Sequence, residues 1–476
     1  MAYYFRRSVL PTRLVTRKDM LFQPQKFALR NSNHYLFQSP FSRYYTNSTP
    51  PPQEVSTSSS YLNKFAKATT KRLPNAILAK LVVAGVISLI STDLLYAWYR
   101  NRHNERLLNK TIEKGTRPKI DVLDDEFVPR PLVVNRLKQI LQPDIKQSSY
   151  HVVCGEHGTG KTILTRIASR EVGQGVIYVE IPSDPSDPSK INIEDFGDAF
   201  GESLNFKFEE HISFTAQLMK KILGGNGKVD ARPKWKRALK AFKNAGAAYK
   251  AKYNKLPVIV YDNISGLVDV NPKVLDALQN DAKMNADHRK YIAVFVSSEG
   301  SVPRRMQGRS AISRAEEPIE IGDLTREESL DYLVNKRGIK TVSKDNKIDT
   351  TEAERLYELV GGRIVDLQSV AKKFLEGQNF EDIKKKQFIK AEDKLRTAKL
   401  LKGDEFYEVG KCVIKALLDS KELSRIAYEE FFKNRDEANK VLGLNVFAYH
   451  PEQNTVTFQS QLIESYVREN ANIYLK

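Results

Sequence analysis

The chain has 476 residues, which is long enough for two or three domains, and its 28% charged and 41% hydrophobic residues describe an ordinary globular protein. Its two cysteines, Cys154 and Cys412, exclude a disulfide framework and give no metal-ligand spacing. The net charge of +18 leaves nucleic acid and anionic lipid as partner classes to consider.

The first segment, residues 1–48, has the composition of a targeting sequence rather than of a folded domain. It is rich in arginine, serine and aromatic residues, and its eight lysines and arginines face one acid, Asp19. This pattern predicts a mitochondrial transit peptide, and Arg43-Tyr44-Tyr45 resembles a matrix-peptidase cleavage site. A basic disordered tail is the alternative interpretation. The following residues, 49–75, are interpreted as a linker that begins rich in serine, threonine and proline.

An apolar stretch follows at Ala76–Tyr99. As a helix it would extend roughly 36 Å at about 1.5 Å per residue, which is enough for a hydrocarbon core of about 30 Å. Lys80 and Asp93 limit its uncharged run to twelve residues, but both can reach towards an interface, and Trp98 is a suitable interfacial anchor. We predict one transmembrane helix, with a buried or membrane-surface helix as the alternative. Basic residues flank both ends, so the orientation stays open.

The pattern G-x-x-x-x-G-K-[ST] occurs between a predicted strand, Tyr150–Cys154, and a predicted helix, Thr162–Glu171. Glycines let the backbone turn its N–H groups towards phosphate oxygens, and the helix N-terminus favours anions. Lys161 is expected to reach the β- and γ-phosphates, and the Thr162 hydroxyl to bind Mg²⁺. We therefore predict that the loop binds ATP with Mg²⁺. Its predicted binding residues are Gly155, Glu156, His157, Gly158, Thr159, Gly160, Lys161 and Thr162.

Two further apolar runs predict parallel strands that end in polar residues. Leu256–Asp262 resembles a Walker B strand, in which Asp262 holds Mg²⁺ at the carboxyl edge of the sheet. Tyr291–Val296 is followed by Ser297, a candidate contact for the γ-phosphate or the attacking water. Together with the phosphate-binding loop, these runs predict an α/β fold with a parallel sheet over residues 121–322, the core of a nucleoside triphosphatase.

Other elements are predicted between the loop and the Asp262 strand. A second strand is expected at Gly175–Ile181, and helices at Ile193–Leu204, Phe214–Leu223 and Lys234–Lys252.

The stretch Lys228–Lys255 is strongly basic, with ten lysines and arginines against the single acid Asp230. Trp235, Tyr249 and Tyr253 are interleaved with these charges and offer rings on which bases could stack. The stretch therefore suggests binding of nucleic acid. The alternatives are anionic lipid headgroups, or a solvated helix face with Trp235 in the core.

These motifs, with Phe127–Arg130 before them and Pro318–Leu330 after them, resemble an AAA+ or archaeal-type (STAND-like) ATPase over roughly residues 121–395. Leu359–Leu367 resembles the Gly-Gly segment of the helical lid, predicted at residues 323–390. The Asp262-Asn263 pair is similar to the mitochondrial escape proteins, inner-membrane ATPases linked to mitochondrial DNA maintenance.

The resemblance implies roles for four further residues. The family places a catalytic glutamate where this chain has Asn263, which can hold a water but cannot accept its proton, so hydrolysis is expected to be slow unless Glu180 or Glu299 substitutes. Arg363 is the preferred candidate for a positive charge on the γ-phosphate. Arg309 and Arg314 are candidates for fingers supplied by a neighbouring subunit, which implies a homo-oligomer, and are as consistent with solvated surface arginines.

The last segment, residues 391–476, predicts a winged-helix-like domain from two helices, Phe406–Leu418 and Ser424–Lys433, and a hairpin of Val446–Tyr449 with Thr455–Phe458. The whole chain is thus expected to be a single-pass ATPase of the mitochondrial inner membrane that couples nucleotide state to movement of the lid and the last domain. The alternatives are a non-hydrolysing nucleotide-dependent scaffold or switch, and a mitochondrial DNA maintenance factor that binds nucleic acid.

Overall fold

The structure, a computed structural model, describes residues 75–123, 125–183, 192–208, 232–298, 300–342 and 348–474. The predicted transit peptide, the linker before Asn75 and the helix predicted at Phe214–Leu223 lie outside the described residues, as does Glu299.

The stretch predicted to span a membrane is the first part of a longer helix, α1 (Asn75–Lys114). Its apolar side chains are exposed, with Leu89 at 72%, whereas Leu108 and Ile112 further along the same helix are buried. Among the described residues, this is the one helix that is long and apolar enough to cross a membrane, by length and composition. The helix therefore continues beyond the predicted end at Tyr99 and into the folded part of the chain.

The sheet core confirms the predicted α/β fold. Three of its five strands are buried along their whole length, as expected for parallel strands covered by helices on both sides. The spatial order is β2-β3-β4-β1-β5, and every pair is parallel. The strands are β1 (His151–Cys154), β2 (Val176–Glu180), β3 (Val258–Asp262), β4 (Ile292–Val296) and β5 (Ile319–Glu320).

Helices cover the two faces of this sheet and bury separate hydrophobic clusters. Gly246 lies inside one of the covering helices. A Cβ on Gly246 would lie 3.1 Å from the Pro257 ring, so the close approach of Pro257 explains why this helix contains a glycine. The helices are α2 (Pro131–Leu141), α3 (Lys161–Val172), α4 (Ile193–Ser203), α5 (Lys234–Tyr253), α6 (Leu267–Val270), α7 (Pro272–Asp287) and α8 (Ser301–Gln307).

The lid region follows β5 and begins with a helix closed by a capping box, in which Thr325 and Glu328 exchange side-chain and backbone hydrogen bonds. The predicted boundary after residue 390 falls inside a helix, and the lid and the C-terminal elements share one hydrophobic cluster. The elements are α9 (Arg326–Asp331), the strand pair β6 (Thr341–Val342) and β7 (Ile348–Asp349), α10 (Thr351–Val360), α11 (Ile364–Leu375) and α12 (Phe380–Thr397).

The C-terminal unit contains the predicted hairpin within a three-stranded antiparallel sheet of order β8-β10-β9. The helix predicted at Ser424–Lys433 is shorter than expected and spans Arg425–Glu429; Ser424 ends a strand and caps this helix with its side chain. The assignment as a winged-helix domain stays a prediction. The elements are α13 (Tyr407–Ser420), β8 (Leu423–Ser424), α14 (Arg425–Glu429), α15 (Arg435–Leu442), β9 (Phe447–His450), β10 (Thr455–Phe458), α16 (Gln461–Glu469) and α17 (Ala471–Tyr474).

Candidate nucleotide-binding site

The phosphate-binding loop connects the internal strand β1 to helix α3, and its glycines hold backbone conformations that other residues adopt only with strain. Gly155 has φ +141°, and a Cβ there would lie 2.3 Å from the carbonyl oxygen of Ile321. Gly160 has φ +87° and is the residue from which α3 starts. The loop is thus folded tightly against Ile321, the residue that follows β5. Backbone N–H groups of such a loop are the donors that phosphate oxygens would accept from.

Lys161 is 5% exposed and bonds to the loop itself. Its Nζ donates to the carbonyl oxygen of Glu156 at 2.5 Å and to Thr159 Oγ1 at 3.3 Å. Burial lowers the pKa of Lys161 to about 8; the Glu156 charge opposes this shift and the Arg363 charge adds to it. An arriving phosphate would supply the negative charge that this buried ammonium lacks.

The candidate magnesium site lies at the carboxyl edge of β3. Thr162 Oγ1 donates to Asp262 Oδ1 at 3.4 Å, and the backbone N–H of Asn263 donates to the same oxygen at 2.9 Å. The Tyr178 hydroxyl donates to the other carboxylate oxygen. One hydroxyl and one carboxylate are oxygen ligands of the kind that Mg²⁺ takes when phosphates and waters complete its shell. Thr162 and Asp262 therefore fit the ion that the motif implies, and no group of three or more His, Cys, Asp or Glu ligands occurs among the described residues.

Ser297 and Asn263 lie at the same edge of the sheet, and the side chain of each is within hydrogen-bonding distance of nearby residues. Ser297 is buried, and its hydroxyl lies 3.1 Å from the Ser265 hydroxyl. Asn263 has φ +63°, and its side-chain amide donates to the Ile181 carbonyl oxygen at 3.0 Å and to Ser183 Oγ at 3.3 Å. The amide of Asn263 is therefore held towards the loop after β2.

Arg363 lies against the phosphate-binding loop, as its predicted role requires, but its guanidinium is already paired. A Cβ on Gly158 would come within 3.1 Å of Arg363 Cδ. The guanidinium donates to both carboxylate oxygens of Asp323, at 2.7 and 3.2 Å, and to the carbonyl oxygen of Gln459 at 2.7 Å. Gln459 also donates to the Glu156 carboxylate at 3.2 Å, so the C-terminal unit contacts the loop directly.

A cleft of about 280 Å³ opens beside the loop. One wall is apolar, formed by the entry segment at Phe127 and the lid helix α11 at Ile364, and the loop forms the other wall. An apolar wall beside phosphate-binding groups matches a base next to its phosphates. The lining residues are Val122, Glu126, Phe127, Val128, Arg130, His157, Gly158, Thr159, Gly160, Lys161, Thr162, Ile163, Leu164, Ser298, Leu324, Ile364, Val365 and Gln368.

Residues 127–370, just over half of the chain, match the family model of an ATPase domain found predominantly in Archaea. The chain belongs to this ATPase family. The predicted resemblance to archaeal-type P-loop ATPases is thereby confirmed, whereas the similarity to mitochondrial escape proteins stays a prediction.

The solved structures to which this archaeal-type ATPase is similar share few identical residues with it. A Walker-type ATPase of Pyrococcus abyssi is 13% identical, with a TM-score of 0.46 over 74% of this chain and 100% of that one. The ORC2 protein of Aeropyrum pernix is 14% identical, with a TM-score of 0.38 over 76% of this chain and 97% of that one. A search of curated proteins finds no match.

The sequence analysis assigned no role to three residues of this archaeal-type ATPase site: Tyr178, Asp323 and Gln459. Tyr178 clamps Asp262, Asp323 holds Arg363, and Gln459 links the loop to the C-terminal unit. No local pattern indicates these contacts, because each residue acts through a partner that is distant in the sequence.

The remaining candidates are paired within the same chain. Glu180 lies beside Asp262 in the strand register and pairs with Arg166 at 2.6 Å. Arg309 pairs with Asp276 at 2.9 Å, and Arg314 pairs with Asp287. A role for either arginine in a neighbouring subunit's site stays a prediction.

The basic helix α5 exposes charged side chains, but two of the aromatic rings expected to stack on bases are buried. Trp235 and Tyr249 are 4% exposed and belong to the hydrophobic cluster on that side of the sheet. Tyr253 packs on Tyr249, with ring centroids 5.0 Å apart. The stacking surface that single-stranded nucleic acid would need is therefore not offered by the two buried rings.

Proposed function

We propose that this archaeal-type ATPase binds ATP with Mg²⁺, hydrolyses it slowly, and uses its nucleotide state to move the lid and the C-terminal unit. The observation that carries the proposal is the convergence of Lys161, Thr162 and Asp262 on one sheet edge, with Thr162 and Asp262 3.4 Å apart. A buried ammonium and a hydroxyl at the start of a helix, with a carboxylate at the end of a strand of the same sheet, are the groups that hold a nucleoside triphosphate and its metal ion.

Binding would exchange bonds inside the loop for bonds to phosphate. The Lys161 ammonium, now bonded to the Glu156 carbonyl oxygen, would turn to the β- and γ-phosphates. The bound Mg²⁺ would neutralise charge on the phosphate oxygens. Thr162 and Asp262 would orient that ion, while Tyr178 holds the carboxylate in place.

Slow hydrolysis is proposed because no carboxylate follows Asp262. The position is Asn263, whose amide can orient a water but cannot take its proton. Its –NH₂ group is also engaged by the Ile181 carbonyl oxygen. Glu180 is the nearest alternative along the sheet edge, and its carboxylate is paired with Arg166.

Coupling to the C-terminal unit would run through Gln459 and Arg363. Gln459 is buried and touches the loop residue Glu156 by its side chain, while its carbonyl oxygen accepts from Arg363. A γ-phosphate that attracts the Arg363 guanidinium would compete with Asp323 and Gln459 for the same N–H groups. Loss of the Arg363 bond to Asp323 or to Gln459 would loosen the contact between the phosphate-binding loop and the C-terminal unit.

We further propose that α1 anchors the protein in the mitochondrial inner membrane. The support is the exposed apolar part of that helix and the basic, serine-rich composition of residues 1–48. Alkaline carbonate extraction of mitochondria tests the anchor: the protein should stay in the membrane pellet. Release into the soluble fraction would contradict a membrane span.

The experiment that tests the ATPase uses the full chain in detergent or in lipid nanodiscs. Affinity for ATP is measured with and without Mg²⁺, together with the rate of phosphate release and the oligomer size. We expect ATP binding that depends on Mg²⁺ and a turnover well below the median enzyme rate of about 10 s⁻¹. Absence of ATP binding would contradict the proposal.

A non-hydrolysing switch is the second candidate, and the engaged amide of Asn263 favours it. Both candidates predict that ATP alters the protease protection of the C-terminal unit. Only the hydrolysing candidate predicts that the ATP-induced state decays as phosphate is released. A single time course of protease protection and phosphate release therefore separates the two candidates.

A further inference from the structure

The cleft beside the phosphate-binding loop is also lined by Gln368, a residue of the lid helix α11 that lies outside the nucleotide-binding motifs. Gln368 is half-buried and lies one turn after Ile364, on the same face of the helix. The start of α11 lies against the loop, since a Cβ on Gly158 would be 3.1 Å from Arg363 Cδ. Gln368 follows about 7.5 Å further along the helix axis, at about 1.5 Å per residue. It is therefore displaced from the phosphate-binding end of the cleft.

The side-chain amide of Gln368 is oriented by the entry segment, residues 125–128. Its Nε2 atom donates to the carbonyl oxygen of Glu126 at 3.2 Å. A carbonyl oxygen only accepts hydrogen bonds, so this contact identifies Nε2 as the amide atom that faces Glu126. Among the described residues, no hydrogen bond uses the other amide atom, Oε1. The amide therefore keeps an acceptor next to the apolar wall of the cleft at Phe127.

The neighbouring backbone groups of the entry segment are engaged within the protein. The N–H groups of Glu126 and Phe127 both donate to the Leu123 carbonyl oxygen, at 3.0 and 3.1 Å. The Phe127 carbonyl oxygen accepts from Lys336 Nζ. These groups, like the Glu126 carbonyl oxygen, would have to give up a bond in order to contact a ligand. Gln368 Oε1 can contact a ligand without such a loss.

Purine bases differ in what they offer to an acceptor of this kind. Adenine carries an amino group at position 6, which donates hydrogen bonds, whereas guanine carries a carbonyl oxygen there, which accepts them. An amide oxygen pairs with the amino group and is left facing a second acceptor by the carbonyl oxygen. A site built around a hydrogen bond to one ligand group rejects the analogue that lacks this group.

We propose that Gln368 Oε1 accepts a hydrogen bond from the 6-amino group of adenine and so selects ATP over GTP. The proposal rests on the proposed function for the place of the phosphates. The base would pack on the apolar wall at Phe127 and Val128, with its amino edge towards α11. Because Gln368 belongs to the lid and bonds to the entry segment, the base would connect the lid with the ATPase core. A nucleotide without the amino group would occupy the loop but hold the lid less firmly.

The test compares the affinities of the full chain for ATP and for purine riboside triphosphate, which is ATP without the amino group. Competition against a fluorescent ATP analogue, with the protein in detergent and Mg²⁺ present, measures both affinities. The test variant is Gln368→Met, which keeps the length of the side chain and removes its acceptor. It also removes the bond to Glu126, which would weaken both nucleotides alike, so the readout is the ratio of the two affinities. The control variant, Gln453→Met, makes the same change at the exposed hairpin turn.

We expect the wild type and the control to bind ATP about fivefold more tightly than purine riboside triphosphate, as for one neutral hydrogen bond. The test variant should bind the two nucleotides within about twofold of each other. GTP should bind to the wild type at least about tenfold more weakly than ATP, because its O6 atom would face Gln368 Oε1. This difference should shrink in the test variant.

Equal affinities of the wild type for ATP and purine riboside triphosphate, or tighter binding of GTP than of ATP, would overturn the proposal. A ratio that Gln368→Met leaves unchanged would also overturn it, and would assign the amino group to another acceptor such as the Glu126 carboxylate or the Val128 carbonyl oxygen. Absence of binding by all three nucleotides would contradict the proposed function, and the assignment of Gln368 would fall with it. Binding of ATP without discrimination would remove the assignment of Gln368 alone.

Discussion

The phosphate-binding loop and the C-terminal hairpin meet at the same residue, Glu156, but by different means. The loop reaches it locally: Lys161, five positions later, donates to the Glu156 carbonyl oxygen at 2.5 Å. The hairpin reaches it over 303 positions, through one bond from Gln459 to the carboxylate at 3.2 Å. The first contact follows from backbone conformation, and the second depends on docking of a whole unit.

This difference has an energetic consequence. In the proposed function, loop residues would bind the phosphates themselves, where charged hydrogen bonds are strong. The hairpin would act through a few polar contacts that can be exchanged, as the proposed movement with nucleotide state requires. Substitutions in the loop should therefore alter binding, and substitutions in the hairpin should alter coupling.

The largest effect is expected for Lys161→Ala. It removes the buried ammonium, so ATP affinity should fall by about 2–3 kcal/mol, or roughly 100-fold, as for a lost charged hydrogen bond. Calorimetric titration with ATP measures it. Arg170→Ala, at an exposed position of the same helix, is the control and should bind normally. Unchanged affinity in Lys161→Ala would contradict the assignment of the loop.

Asn263→Glu supplies the carboxylate that the site lacks. The rate of ATP hydrolysis should rise by about 100-fold, the lower range for a general base, and Asp262→Ala should abolish the Mg²⁺-dependent rate. The stability of Asn263→Glu should fall by about 1 kcal/mol, because the backbone at this position has φ +63°. Phosphate release is the measurement, and a rate that falls in Asn263→Glu would show that the base lies elsewhere.

The pH dependence of ATP affinity follows from the lowered pKa of Lys161, about 8 in the free protein. Phosphates bind the protonated amine, so above pH 8 binding must be accompanied by uptake of a proton. Affinity should be constant below about pH 7.5 and then fall by up to about tenfold per pH unit. Titrations in buffers of different ionisation enthalpy measure the proton uptake. An affinity that is flat to pH 9.5 would refute the prediction.

Gln459→Ala tests the contact of the C-terminal hairpin with the phosphate-binding loop. It removes the bond to Glu156 but keeps the backbone carbonyl that accepts from Arg363. ATP affinity should change by less than about tenfold, while the effect of ATP on hydrogen exchange in β10 and α16 should largely disappear. Gln453→Ala, at the exposed hairpin turn, is the matched control. Preserved nucleotide-dependent exchange in Gln459→Ala would place the coupling elsewhere.

The smallest effect concerns His450, whose Nδ1 lies 2.5 Å from Glu320 Oε1 on β5. Burial lowers the pKa of His450, but the hydrogen bond and charge of Glu320 outweigh it, and the net pKa is raised above 6.5. The pair therefore contributes its full stability below about pH 6.5 and loses it as pH rises through the raised value, by about 1 kcal/mol or less. Unfolding by urea at several pH values measures it. His450→Gln should remove that pH dependence and the exposed His288→Gln should not; equal curves for all three proteins would contradict the role of the pair.

The sequence alone indicated the candidate nucleotide site and the sheet that carries it. The pattern Gly155 to Thr162 requires a particular backbone, and buried apolar runs such as Val258–Asp262 have few alternatives to a parallel strand. The position of Arg363 against the loop was also predictable, from the glycines before it. These features are local, so neighbouring residues are enough to specify them.

Only the tertiary structure decided which groups are the hydrogen-bond partners of those residues. The Tyr178 clamp on Asp262, the Asp323 pair of Arg363 and the Gln459 contact join residues 84, 40 and 303 positions apart. It also decided that Trp235 faces the core, and that α1 continues past Tyr99 into the folded chain. A polar side chain has many potential partners in a sequence, and only the packing of distant elements, which buries some and exposes others, selects one of them.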